Sequence, residues 1–159
     1  MEQIIQLNAN AKLSEHFTLG EMTKSGSHPE VYNIPSHEAI ANMKRLCQWL
    51  EVLRERASPD PSKGRGEPII INSGYRSPQL NKKIGGVANS NHLTGCAVDI
   101  RVSGMEQLIR YAAILLDYAE ELHQDFDELL IEKNRYGAIW LHFAVRPSGN
   151  RRKILFINA

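Results

Sequence analysis

Cysteine is scarce in this chain: Cys47 and Cys96 are the only two in 159 residues, and two unmatched thiols define no disulfide framework. Both are expected to be reduced. Long apolar runs are missing as well; none approaches the ~20 residues that a bilayer span requires, so no membrane insertion is expected. Nor is there an excess of one charge. The 19 Lys and Arg stand against 18 Asp and Glu, and the basic residues are dispersed instead of forming the positive stripe that a phosphate backbone demands. Nucleic acid is therefore not an expected partner. The opening Met1-Glu2-Gln3-Ile4-Ile5-Gln6 has neither a basic start nor a sustained apolar stretch, so no secretory leader is visible and cytoplasmic synthesis is the expectation.

What is present suits one compact domain over residues 1–159, expected to be a monomer, with 42% hydrophobic residues to build a core and no internal repeat. Thr18-Leu19-Gly20-Glu21 has the spacing of a capping box, with Phe17 and Met22 placed as a hydrophobic staple, so a short helix is predicted from Leu19. Ser36 caps a second helix, on which Ile40, Met43, Leu46, Cys47, Leu50 and Leu53 recur at helical spacing. Ser58 to Gly66 is rich in Pro, Gly and charge and reads as an exposed loop. Pro68-Ile69-Ile70-Ile71-Asn72 reads as a buried strand, and Ser77-Pro78 opens a short helix that Gly85-Gly86 closes. Ala97 to Val102 alternates as a strand does, and Ser103-Gly104-Met105-Glu106 is a second capping box before the stripe Leu108, Ala112, Leu115, Ala119, Leu122. The apolar runs Leu129 to Ile131, Ala138 to Val145 and Ile154 to Ile157, separated by polar connections, predict an antiparallel meander. The expected class is α+β: two main helices packed on a small, mainly antiparallel sheet.

The chemistry concentrates in two segments. His92 and Asp99 lie seven positions apart across Thr94-Gly95, and the glycine lets a loop residue and the following strand converge on one point. His142 sits in a later strand, sharing a face with Trp140 and Ala144. Two imidazoles and a carboxylate are what a catalytic zinc site takes from a protein when the fourth position is left to water. His16, His28, His37 and His123 have no such context and read as ordinary polar residues. Cys96, between two of the candidate ligands, could be a ligand or a nucleophile, but its neighbours Gly95 and Ala97 favour a small side chain packed beneath the site.

The series Ser73-Gly74-Tyr75-Arg76-Ser77-Pro78, Ser90-Asn91-His92-Leu93-Thr94-Gly95, Ala97-Val98-Asp99 and Trp140-Leu141-His142 resembles the motifs of the zinc D-alanyl-D-alanine carboxypeptidases and related peptidoglycan peptidases. Phe17 to Met22 and Phe126 to Glu132 are similar to segments of the phage-type branch, and the likeness covers about Leu13 to Val145. The resemblance implies that His92, Asp99 and His142 hold Zn2+ and that Arg76 contacts the substrate carboxylate or the scissile carbonyl. It implies a cell-wall stem peptide as substrate, with an amide hydrolysed as by a D-Ala-D-Ala carboxypeptidase or an endolysin. Ser90 would orient the ligand loop or contact substrate, and Trp140 would form a pocket wall.

The general base is less direct. In several branches of the family an acidic residue stands three positions before the last histidine, where this chain has Ile139. By likeness to the phage-type branch Glu132 takes the role, with Glu128, on the same face of a Phe126 to Glu132 strand, as its rival. Two classes of function follow: a peptidase, including a phage lysin released to the wall at lysis, or a zinc-binding phage structural or interaction module without turnover.

Overall fold

In a computed structural model the described residues are 8–26, 28–59 and 66–158; the opening Met1 to Gln6 and positions 60–65 of the predicted loop lie outside them. The helices are α1 (Leu19–Met22), α2 (His37–Arg56), α3 (Pro78–Lys83) and α4 (Met105–Leu122), with a short 3-10 turn at Asn91–Thr94. The strands are β1 (Ile71–Ser73), β2 (Ala97–Arg101), β3 (Glu128–Lys133), β4 (Ile139–Ala144) and β5 (Lys153–Asn158), in the sheet order β1-β2-β4-β3-β5. This is the α+β arrangement, a single compact body with one five-stranded sheet.

Local chemistry explains most starts. The Thr18 hydroxyl oxygen accepts the Glu21 amide at 3.3 Å while Glu21 accepts the Thr18 amide at 3.2 Å, so the first capping box forms in both directions. Ser36 caps α2 through the Ala39 amide, and Ser77, followed by Pro78, caps α3 through the Leu80 amide. The second capping box does not form. Helix α4 begins one residue late, after Gly104, because the Ser103 amide is taken by Gln107 Oε1 at 2.7 Å, four residues on instead of three.

The core lies between one sheet face and the two long helices. Met43, Leu46, Leu50 and Leu53 of α2 and Leu108, Tyr111, Leu115 and Ala119 of α4 are buried with Val98, Ile100, Leu129, Leu141 and Phe143. Each buried Met, Leu, Val, Ile or Phe among them contributes ~1.5–3 kcal/mol of transfer free energy. Trp49 joins the layers, with ring centroids 5.0 Å from Tyr118 and 5.5 Å from Phe143. Leu122, at the end of the predicted stripe, is 41% exposed.

β2, β4 and β3 pair antiparallel as expected, but β5 runs parallel to β3 and does not continue a meander. β4 already has β2 on one side and β3 on the other, so the nearer free edge for the chain leaving Ala144 lies beyond β3, and the chain starts from the end where β3 begins. Buried Asp127 fixes that crossing. Its carboxylate accepts Arg151 Nε at 3.0 Å and Nη2 at 2.8 Å and lies 3.2 Å from Arg146 Nε, while Lys153 donates its amide to the Asp127 carbonyl. The predicted strand at Pro68 to Asn72 is regular only over Ile71–Ser73, where its register against β2 shifts.

Burial pushes the Asp127 carboxyl up, but the bonds from Arg151 and Asn91 outweigh it and hold the group below its usual range. Its folded value therefore lies under the unfolded ~3.9, and the stabilisation is complete above that pH and lost as pH falls through the folded value. Asp127→Asn should cost about 2–3 kcal/mol at pH 7, by removal of the charged partner of two arginines. Thermal melts should show the gap from wild type closing as pH falls below about 4; a gap independent of pH would contradict this account.

Candidate metal centre

The ligand loop is shaped from both ends. Ser90 Oγ accepts the His92 amide at 3.1 Å to open the 3-10 turn, and Gly95, at φ 76°, closes it in the left-handed region. A Cβ on Gly95 would stand 2.5 Å from the Ala39 carbonyl oxygen of α2, so only glycine lets the turn lie against that helix. Asn42 of α2 donates to the Thr94 carbonyl at 2.9 Å and ties the turn down. Asp99 on β2 and His142 on β4 are register partners, and the pairing puts Glu128, Leu130 and Glu132 of β3 on the same face. The register that buries Val98, Ile100 and Leu141 thereby turns Asp99 and His142 to the opposite side.

His92, Asp99 and His142 are all buried, and one potential ligand atom from each lies within 4.8 Å of the others. His92 Nδ1 is 2.7 Å from the Gly74 carbonyl, which can only accept, so Nδ1 carries the proton and Nε2 keeps a lone pair, 3.3 Å from Asp99 Oδ1. His142 Nε2 is 3.0 Å from Glu128 Oε1 and Nδ1 is 3.1 Å from Asp99 Oδ1, so each nitrogen faces a carboxylate; a metal on the Asp99 side would take Nδ1 and leave the Nε2 proton to Glu128. Asp99 Oδ2 accepts Arg76 Nη2 at 3.1 Å, leaving Oδ1 inward. Every outward atom has a partner, and the three inward atoms can all serve as metal ligands once the His142 Nδ1 proton is displaced. Two nitrogens and one oxygen, oriented by outer hydrogen bonds, fit a divalent zinc.

The electrostatics describe the same centre. Burial opposes the charge on Asp99, but His92 and His142 outweigh it and hold the carboxyl far below the usual range. Burial lowers His142, but the bonds and charges of Asp99 and Glu128 push it up to about 9. A divalent cation would compete with that proton. Glu128 is held low, because His142 and Asn91 outweigh its burial. Glu132 goes the other way: burial, reinforced by the Asp99 charge, raises it.

The centre opens into a cleft of about 430 Å³ lined by Arg76, Ser90, Glu128, Glu132 and, on β5, Lys153 and Ile157. Arg76 also donates to Ser73 Oγ at 3.1 Å and Asn81 Oδ1 at 3.3 Å. Glu132 turns Oε1 towards His142 Nδ1 at 3.8 Å and accepts the Trp140 indole N–H on Oε2 at 2.7 Å. Trp140 is thus a partner of Glu132 and is not among the cleft's lining residues. Glu128 is occupied by His142 and by Asn91, whose Nδ2 lies 2.6 Å away. Ile139 packs against the core. Cys96 is buried, its thiol pushed up by burial, and it does not line the cleft.

Three supporting residues had no role assigned from sequence. Asn91 bridges Asp127 and Glu128 and accepts Arg146 Nε at 2.9 Å. It stands inside the histidine motif, which was the available signal. Asp127 precedes β3, where strand alternation says nothing useful. Asn33 donates to the Thr23 and Tyr75 carbonyls and accepts the Ser77 amide, holding the Arg76 turn from a segment that carries no motif. Asn33→Ala removes all three bonds from a buried position and should lower stability by about 2–3 kcal/mol, read as the urea midpoint. An unchanged midpoint would show that the turn holds itself.

The family model described as Peptidase M15 matches residues 15–115, which include Arg76, His92 and Asp99 and stop short of His142. A curated zinc D-Ala-D-Ala carboxypeptidase from Streptomyces albus G is 28% identical over 98 residues, 62% of this chain and 36% of that protein. The chain thus spans about a third of the length of the curated relative it matches. With more than half of its residues matched by the family model, and a two-histidine, one-aspartate cluster at the base of its cleft, the chain belongs to the Peptidase M15 family.

Proposed function

We propose that this chain is a zinc metallopeptidase hydrolysing an amide bond in bacterial cell-wall peptides, with His92, Asp99 and His142 as the metal ligands. The observation that carries the reading is the convergence of His92 Nε2, Asp99 Oδ1 and His142 Nδ1, each oriented by a hydrogen bond on its far side. Zinc at such a centre supplies a Lewis acid and lowers the pKa of bound water from ~15.7 towards ~7. The relative's printed name supports the D-Ala-D-Ala bond, and likeness of Phe17 to Met22 and Phe126 to Glu132 to the phage-type branch supports a phage lysin as the setting.

Glu132 is the general base in this reading. Its Oε1 faces the centre, Trp140 holds its other oxygen, and its raised pKa suits a group that takes a proton from water and returns it to the leaving amine. Glu128 does a different task, fixing the His142 ring through Nε2. Arg76 engages three of its five N–H groups with Ser73, Asn81 and Asp99, and the remaining donors can hold a substrate carboxylate or carbonyl oxygen.

Because a three-ligand site tolerates little loss, His92→Ala, Asp99→Ala and His142→Ala should each abolish stoichiometric zinc and the release of amines from purified peptidoglycan. Chelation of the wild type should do the same, with recovery on adding zinc. Full zinc content in any of the three variants would break the ligand assignment. Glu132→Gln should retain zinc while slowing hydrolysis about a hundredfold or more. A near-normal rate would remove Glu132 from the role. Zinc bound by the wild type without amine release would instead assign the non-enzymatic module, the reading that Ile139 at the usual acidic position favours.

A further inference from the structure

The charges that line the cleft are all spoken for except one. Asp99, Glu128, Glu132, Arg76 and Arg151 each bond to another side chain. Lys153, the first residue of β5, also lines the cleft and is exposed, and its ammonium has no hydrogen-bond or ion-pair partner among the described residues. Its backbone position is fixed. Its amide donates to the Asp127 carbonyl at 2.9 Å, and Arg151, two residues before, is clamped to the Asp127 carboxylate, so the start of β5 is fixed.

The sheet says where this charge stands. Lys153 pairs with Glu128, and His142 pairs with Leu130, so two strand spacings and two residues separate Lys153 from His142. At ~4.8 Å per strand and ~3.3 Å per residue that is about 12 Å between Cα atoms. Lys153, Glu128, Leu130 and His142 share one face of the sheet, so the lysine stem rises on the side of the metal centre. Arg76, bonded to Asp99 on β2, flanks the centre on the opposite side, because β4 and β3 lie between β2 and β5. The three lining cations and three lining carboxylates cancel formally, so a divalent metal leaves the cleft positive and suited to an anionic ligand.

Resting on the peptidase reading above, we propose that Lys153 determines specificity by binding a second carboxylate of the substrate, two to three residues from the scissile carbonyl and on the side away from Arg76. The preferred substrate class is an acidic peptide with an anionic group on each side of the cleaved bond. Lys153 binds and does not take part in the chemical step.

The probes are the synthetic stem peptide L-Ala-γ-D-Glu-L-Lys-D-Ala-D-Ala and the same peptide with the glutamate α-carboxylate converted to a carboxamide. Each is titrated calorimetrically into the zinc-loaded Glu132→Gln protein, with and without Lys153→Gln, while release of D-Ala by the wild type is measured separately. The carboxamide should bind about threefold to tenfold more weakly, the span of one charge-assisted contact at a partly exposed site. Lys153→Gln should weaken the acidic peptide by a similar factor and erase the difference between the two, whereas Lys153→Arg should preserve it. Equal affinities for the two peptides, or a difference that survives Lys153→Gln, would overturn the proposal. Discrimination without D-Ala release sustains the binding role of Lys153 and counts against cleavage of that bond; release without discrimination removes Lys153 alone. If neither peptide binds, the Lys153 proposal falls, and D-Ala release by the wild type decides the peptidase reading separately.

Discussion

Three lone pairs aimed at one point are the constraint around which this molecule is arranged. His92 Nε2, Asp99 Oδ1 and His142 Nδ1 converge, so a cation or a proton has to be shared among them. Each is held in that orientation from behind: His92 by the Gly74 carbonyl, Asp99 by Arg76, His142 by Glu128. The cost of gathering them is met by the core on the other side of the same strands, where Val98, Ile100, Leu141 and Phe143 are fully buried. Packing and ligand geometry are coupled through the period-2 alternation of β2 and β4, so neither can shift by one residue without destroying the other.

Behind the inner atoms stands a polar layer that joins the front and back of the chain. Asn91, next to His92, reaches Asp127 and Glu128, and Asp127 in turn gathers Arg146 and Arg151 from the connection to β5. The C-terminal strand is therefore part of the site. It forms one wall of the cleft through Lys153 and Ile157, although the family model's match ends at residue 115. A buried carboxylate with two arginines is weak evidence of net stability in general. Here it also sets the start and direction of β5.

The two glutamates of β3 show how position divides labour between identical groups. Both face the centre, four residues apart. Glu128 meets His142 Nε2 and the Asn91 amide, which favour its charged form, while burial and the Asp99 charge raise Glu132 beyond what its single indole N–H offsets. The first is suited to holding a ring, the second to carrying a proton.

Much of this was legible in the residues alone. The two main helices followed from apolar spacing, the first capping box and the Ser36 and Ser77 caps from local hydrogen-bonding chemistry, and the candidate ligands from two imidazoles and a carboxylate flanked by a glycine turn. The helices and caps depend on contacts within a few residues, which sequence spacing encodes directly, whereas the ligand set joins Asp99 to His142, 43 positions away, and was read from the motifs that flank each. The tertiary structure decided what rests on distant partners: that β5 joins the free edge of β3 in parallel, that the Ser103 box yields to Gln107, that Trp140 bonds to Glu132, and that Asn33, Asn91 and Asp127 brace the site. Strand order depends on which edges remain unpaired, and a side chain's partner on what another segment brings beside it. Neither quantity exists until the chain has closed on itself.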